Sequence, residues 1–76
     1  MSVELYHNYK NTMSKFRRNL QYAADSKKLF PLIGDKEIGI SQSLADKIRN
    51  NHDVPSYLKT KVTQMHHSFV KFVWQL

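Results

Sequence analysis

The sequence predicts an all-α, or mainly α, fold: one compact single domain of three to four helices over residues 1–76. Three observations carry that prediction. Apolar residues recur at steps of three and four along most of the chain, the period of a helix with one buried face. Two glycines and two prolines leave too little turn chemistry for a β sandwich. A composition 41% hydrophobic and 24% charged belongs to a chain that buries a core, not to a disordered tail. The core must be small, because a chain of this length buries only about 60% of the surface it exposes when unfolded. A large two-lobed enzyme with an interdomain cleft is excluded.

The first helix is expected at about residues 4–25. Leu5, Tyr6, Tyr9, Met13, Phe16, Leu20, Ala23 and Ala24 make its apolar face, and Asn8, Lys10, Asn11, Lys15, Arg18 and Asn19 its polar one. Lys15-Phe16-Arg17-Arg18 is a basic cluster around a core aromatic. Residues 29–40 read as an apolar joint. Pro31 disfavours a helical Phe30, Gly34-Asp35 reads as a turn, and Gly39 between two isoleucines suggests a positive φ or a lack of room. A second helix, about 41–50, is expected to start on Ser41 as N-cap with Ile40, Leu44, Ala45 and Ile48 inward. Asn50-Asn51-His52-Asp53 breaks it. A third, about 55–74, takes Pro55 in its first turn and turns Leu58, Val62, Met65, Phe69, Phe72 and Val73 inward. The expected core is Phe16, Leu20, Ile38, Leu44, Ile48, Leu58, Val62, Met65 and Phe69.

Enzyme chemistry is poorly supplied, and no catalytic residue, metal or cofactor is expected. Without cysteine there are no disulfides, thiolate metal sites or cysteine nucleophiles. Gly34 and Gly39 are isolated, with no Gly-Lys-Ser/Thr to form a phosphate loop. Asp46 and Asp53 read as solvated helix-end charges. Adjacent His66 and His67 point about 100° apart on a helix and cannot share one ion; one packs and the other faces solvent or phosphate. Tyr57, Trp74 and Tyr22 fall off the apolar stripes and are free to stack on bases or fill gaps. The N-terminus shows no secretory signal, and no apolar run approaches the roughly 20 residues of a membrane span. A cytoplasmic location with no membrane partner is the expectation.

Charge is the most informative property. Twelve Lys and Arg against six Asp and Glu give a formal net charge of +6 and a pI near 9.8. Such an excess speaks of partners rather than fold, and nucleic acid comes first among them. Lys36, Lys47, Arg49, Lys59, Lys61 and Lys71 follow the joint, and no acid occurs from Ser56 to Leu76. The third helix therefore combines Lys59, Lys61, Gln64, His67 and Lys71 with an N-terminus whose open N–H groups and positive dipole end favour phosphate. The plain alternative is a solvated basic face.

Glu37-Ile38-Gly39-Ile40-Ser41-Gln42-Ser43-Leu44, then Val54-Pro55-Ser56 and Met65-His66-His67-Ser68-Phe69-Val70-Lys71-Phe72, together resemble the FinO/ProQ family of bacterial RNA chaperones, with Phe30-Pro31 in the place of that family's Phe-Pro. The resemblance runs from about Leu29 to Trp74. It implies a FinO/ProQ-like helical domain that binds structured RNA, a hairpin with a single-stranded 3′ end, in post-transcriptional regulation by small RNA or at mRNA 3′ ends. By that resemblance Ser56 and Tyr57 lie at the helix start that receives the 3′ end, flanked by Lys36 and Lys71. Lys71 and Phe72 match a basic residue and a Tyr late in the helix, and Lys59 and Lys61 carry over as a basic neighbourhood. Glu37 stands where the family has a basic residue. With Arg49, Gln64 and His67 from the basic stretch, these residues form the expected RNA-binding set.

Two rival classes stand beside this one. Ser41-Gln42-Ser43-Leu44-Ala45 looks like the start of a DNA-binding helix-turn-helix, although Arg49 and Asn50 occupy the places of its turn glycine and following apolar residue. A small regulator of phage or plasmid type that inhibits a host enzyme by binding it as a protein partner is the third class.

Overall fold

The computed structural model describes residues 2–26 and 34–75. They form three helices: α1, Ser2–Asp25; α2, Asp35–Arg49; and α3, Ser56–Trp74. No strand occurs among the described residues. The all-α expectation holds, and the ends of α1 and α3 fall where the apolar period places them.

Three contacts spread along α2 fix its direction against α3. Gly34 lies against Val73, the Ser41 hydroxyl against the His66 ring, and Arg49 against Thr63. Positions rise along α2 as they fall along α3, so the two run antiparallel. On the other side Tyr9 reaches Ser41, and Leu5, Asn8 and Thr12 share a groove with Leu44, Lys47 and Ile48. The bundle runs up, down and up, which leaves α1 and α3 parallel, with Arg17 bonded to Ser68 near the far end of both. The result is a rod with principal extents of 42 × 16 × 15 Å.

The buried set is Tyr9, Met13, Leu20, Ala45, Ile48, Val54, Leu58, Val62, Phe69 and Val73, with Tyr6, Phe16, Ile38, Leu44, Met65 and Phe72 packed against it. Phe69 is the aromatic centre, with the Phe16 ring at 6.1 Å and the Phe72 ring at 6.4 Å between centroids. Every residue of the expected core is therefore in it or against it. Ile40 is not: expected inward, it is 37% exposed. Leu5, on the expected apolar face of α1, is also exposed.

The largest correction concerns residues 34–41. The helix expected from Ser41 begins at Asp35, and Ser41 is no N-cap but a fully buried mid-helix residue. The N-cap is Gly34, with φ 87° and ψ −6°, whose carbonyl accepts the Ile38 N–H at 2.9 Å. Asp35 and Glu37 in the first turn and Lys47 and Arg49 in the last complement the helix dipole. The joint of residues 29–40 is thus helical from Asp35 onward; its first half, with Phe30-Pro31, lies outside the described residues. Pro55, expected inside the first turn of α3, stands one step earlier as its N-cap. The connection between α2 and α3 is a turn in which the Asn51 side-chain oxygen accepts the Asp53 N–H at 2.9 Å, an Asx turn.

Gly34 stands in the turn the sequence suggests and also takes the role expected of Gly39. Gly39 is helical with nothing within 4 Å of an added Cβ, whereas a Cβ on Gly34 would lie 2.6 Å from Val73 Cγ1. Gly34→Ala should destabilise by at least about 1–2 kcal/mol, the cost of the left-handed conformation for an L-residue, with displacement of Val73 adding to it. Gly39→Ala should stabilise by about 0.5–1 kcal/mol, since it removes a glycine from an exposed helix interior. Urea melts of the two variants check both signs.

Candidate nucleic-acid interface

The outward face of α3 follows from its inward one. Leu58, Val62, Phe69 and Val73 turn to the core, so Ser56, Tyr57, Lys61, Gln64, His67 and Lys71 are exposed. Tyr57 stands 62% exposed with the Lys61 ammonium 5.9 Å from its ring centroid. Tyr22 and Trp74, like Tyr57 expected off the apolar stripes, are exposed too. No acid stands in the first turn of α3 to offset its positive end.

The remaining expected site residues do not join that strip. Lys59 and Lys61, two positions apart, point about 160° apart round the helix. Lys59 is half-buried on the side toward α2, where its carbonyl accepts the Thr63 hydroxyl that also meets Arg49. Arg49 is half-buried and committed, paired with Asp46 and donating to Thr63 Oγ1 at 3.3 Å. Phe72 is half-buried, stacked on Phe69, with the Arg17 guanidinium carbon 5.2 Å from its own ring centroid. Lys36 is exposed in the first turn of α2 between Asp35 and Glu37.

Topology corrects one expectation. Because α2 and α3 are antiparallel, Lys36 lies at the Val73 end of the bundle with Lys71, while Ser56 and Tyr57 open the other end. Fifteen helical residues, about 22 Å, separate Ser56 from Lys71. Lys36 and Lys71 therefore do not flank the start of α3; its nearest basic neighbours are Lys59 and Lys61.

The two adjacent histidines divide as expected. His67 is exposed, and His66 is half-buried with Nδ1 2.7 Å from Ser41 Oγ. Ser41 Oγ also lies 2.9 Å from the Tyr9 hydroxyl, so one chain of hydrogen bonds ties α1, α2 and α3. With the imidazole neutral, every partner is satisfied in one direction: Tyr9 donates to Ser41, and Ser41 donates to Nδ1. A proton on Nδ1 turns the imidazole into a donor to Ser41 Oγ, and the Ser41 O–H loses its acceptor there. Burial, and then the charges of Arg49 and His67, lower the His66 pKa from its ordinary value against the opposing pull of Asp46. Burial raises that of Tyr9, against its bond to Ser41 and the charge of Arg49. Among the described residues no group of three His, Cys, Asp or Glu could hold a metal ion.

Between α1 and α2 lies a groove of about 170 Å³ lined by Leu5, Tyr9, Leu44 and Ile48 with Asn8, Thr12 and Lys47. No described helix is long and apolar enough to cross a membrane.

Ser41→Ala should destabilise by about 1–3 kcal/mol, because it strands a buried Tyr9 hydroxyl. Tyr9→Phe should cost less, about 0.5–1.5 kcal/mol, since Ser41 keeps His66. As pH falls below about 6.5, the unfolded chain takes up its imidazole proton at His66 before the folded chain does, so this contribution to stability is lost with acidification. His66→Asn, which offers an acceptor that does not titrate, should flatten the fall of Tm between pH 7 and pH 5. An unchanged slope would show that the His66 proton does not govern it.

No family model, curated protein or solved structure matches this chain.

Proposed function

We propose that this chain is a cytoplasmic RNA-binding protein, an RNA chaperone of post-transcriptional regulation that takes a hairpin with a single-stranded 3′ end. One observation carries the reading: α3 presents Tyr57, Lys61, Gln64, His67 and Lys71 on an outward face in a helix with no acid at all. A basic helix that served only solubility would gain from an acid in its first turn, and α2 shows that arrangement. The FinO/ProQ resemblance supplies the ligand class and assigns the 3′ end to Ser56 and Tyr57. The antiparallel packing of α2 and α3 supports RNA over duplex DNA, because a helix-turn-helix crosses its two helices at about 90–120°. The α1–α2 groove favours a second reading, a protein partner, and carries no charge argument comparable to that of α3.

Competition at near-physiological salt tests the proposal, since low salt hides preference under general attraction. A hairpin RNA with a free 3′ tail should bind better than the same hairpin with a blunt end, and better than duplex DNA of equal phosphate count. Neutralising Lys61 and Lys71 should weaken hairpin binding and lower the salt slope by about 0.7–0.9 for each phosphate no longer neutralised. Preference for the duplex DNA, or no preference among the three, would overturn the proposal.

A further inference from the structure

We propose that the seam between α1 and α3 is a track for one unpaired RNA strand, with Lys10, Lys61 and Arg17 on its phosphates and Tyr57 stacked on a base; this rests on the RNA-binding reading above. The facing sides of the two helices carry it. Arg17 Nη2 donates to Ser68 Oγ at 2.9 Å, so these two positions face each other across the seam. Lys10 lies two turns before Arg17 on the same side of α1, and Lys61 two turns before Ser68 on the same side of α3. Tyr6 and Tyr57 each precede one of these lysines by four residues. The same Tyr-x-x-x-Lys spacing thus lines both banks of one seam.

Each cation of the seam is held by an aromatic ring. The Lys10 ammonium lies 5.7 Å from the Tyr6 ring centroid, the Lys61 ammonium 5.9 Å from that of Tyr57, and the Arg17 guanidinium carbon 5.2 Å from that of Phe72. No ion pair to Lys10, Arg17 or Lys61 occurs among the described residues, in contrast to Arg49, which is paired with Asp46. The difference is chemical. A carboxylate orients a cation and neutralises it; a ring quadrupole orients it and leaves the full charge for another anion. Pre-positioned cations also lose less rotamer freedom when a ligand arrives. α3 has no acid, and Glu4 and Asp25 of α1 stand at opposite ends of that helix.

Dimensions favour a single strand. Packed helix axes stand only about 8–10 Å apart, so the surface furrow above their contact is narrow and suits one sugar–phosphate chain rather than two. Arg17 lies about 10.5 Å along α1 from Lys10, a distance that about three stacked nucleotides span at 3.4 Å each. Tyr57, exposed on the bank, gives an unpaired base a ring to stack on, the combination of basic groove and aromatic platform that strand-binding proteins use.

The test uses a fluorescein-labelled twelve-nucleotide uridine RNA and the full chain at near-physiological salt. The double variant K10Q/K61Q should weaken binding at least about tenfold and lower the salt slope by about 1.4, or about 0.7 for each of the two phosphates released. Tyr57→Ala should weaken it about fivefold or more. K15Q/R18Q, which removes equal charge from the outward face of α1, should cost less than about twofold. Equal losses in the two double variants would overturn the track and leave the RNA-binding reading standing, as diffuse attraction. Failure of the unaltered chain to bind either this strand or the tailed hairpin would overturn both. A second measurement needs no variant: 4-thiouridine in the strand should crosslink to Tyr6 and Tyr57, and crosslinks confined to α2 would overturn the track.

Discussion

One buried hydroxyl sets the register of this bundle. Ser41 sits where the three helices meet, bonded to Tyr9 of α1 and His66 of α3. Apolar surfaces in a thin rod can slide past one another by a turn with little loss, because hydrophobic attraction has no direction. A hydrogen bond has direction and a length to satisfy, and a buried polar atom without a partner is costly. No buried side-chain nitrogen or oxygen lacks a partner among the described residues. Phe69, Val62 and Tyr9 supply the attraction, and Ser41 decides which turn faces which.

The same residue explains where the sequence was hard to read. α1 and α3 show their period openly, as Met13, Phe16 and Leu20 or Leu58, Val62 and Phe69. The buried stripe of α2 is Ser41, Ala45 and Ile48, a small polar residue followed by a small apolar one, and a polar residue before an apolar run looks like a cap. Gly39 added a false break. The better signal was electrostatic: Asp35 and Glu37 placed as a helix start wants them, just after a glycine. For the site, the basic character of α3 and the exposure of Tyr57 were legible in residue types and spacing. What one helix cannot reveal is its neighbour. That Lys10 and Arg17 of α1 border the same seam as Lys61, or that Lys36 and Lys71 share an end remote from Ser56, follows only from helix directions set by long-range contacts.

Charge is distributed by helix. α2 carries Asp35, Glu37 and Asp46, the last of them paired with Arg49, and its dipole is complemented at both ends. α3 carries cations alone. The middle helix thus acts as an electrostatically settled strut, and the unbalanced charge falls on the two parallel helices beside it. Folding concentrates like charges there, and the rings of Tyr6, Tyr57 and Phe72 ease that concentration without cancelling it.

The antiparallel turn at residues 50–55 has a geometric consequence of its own. By placing the open start of α3 and the Lys36–Lys71 pair about 22 Å apart on a narrow rod, it makes a ruler of the proposed RNA surface. A strand that touches both under that proposal must reach about 22 Å, some six or seven stacked nucleotides. Shorter pieces would meet one and gain nothing from the other. On the proposed reading the length that counts is set by the number of turns in α3 rather than by any base.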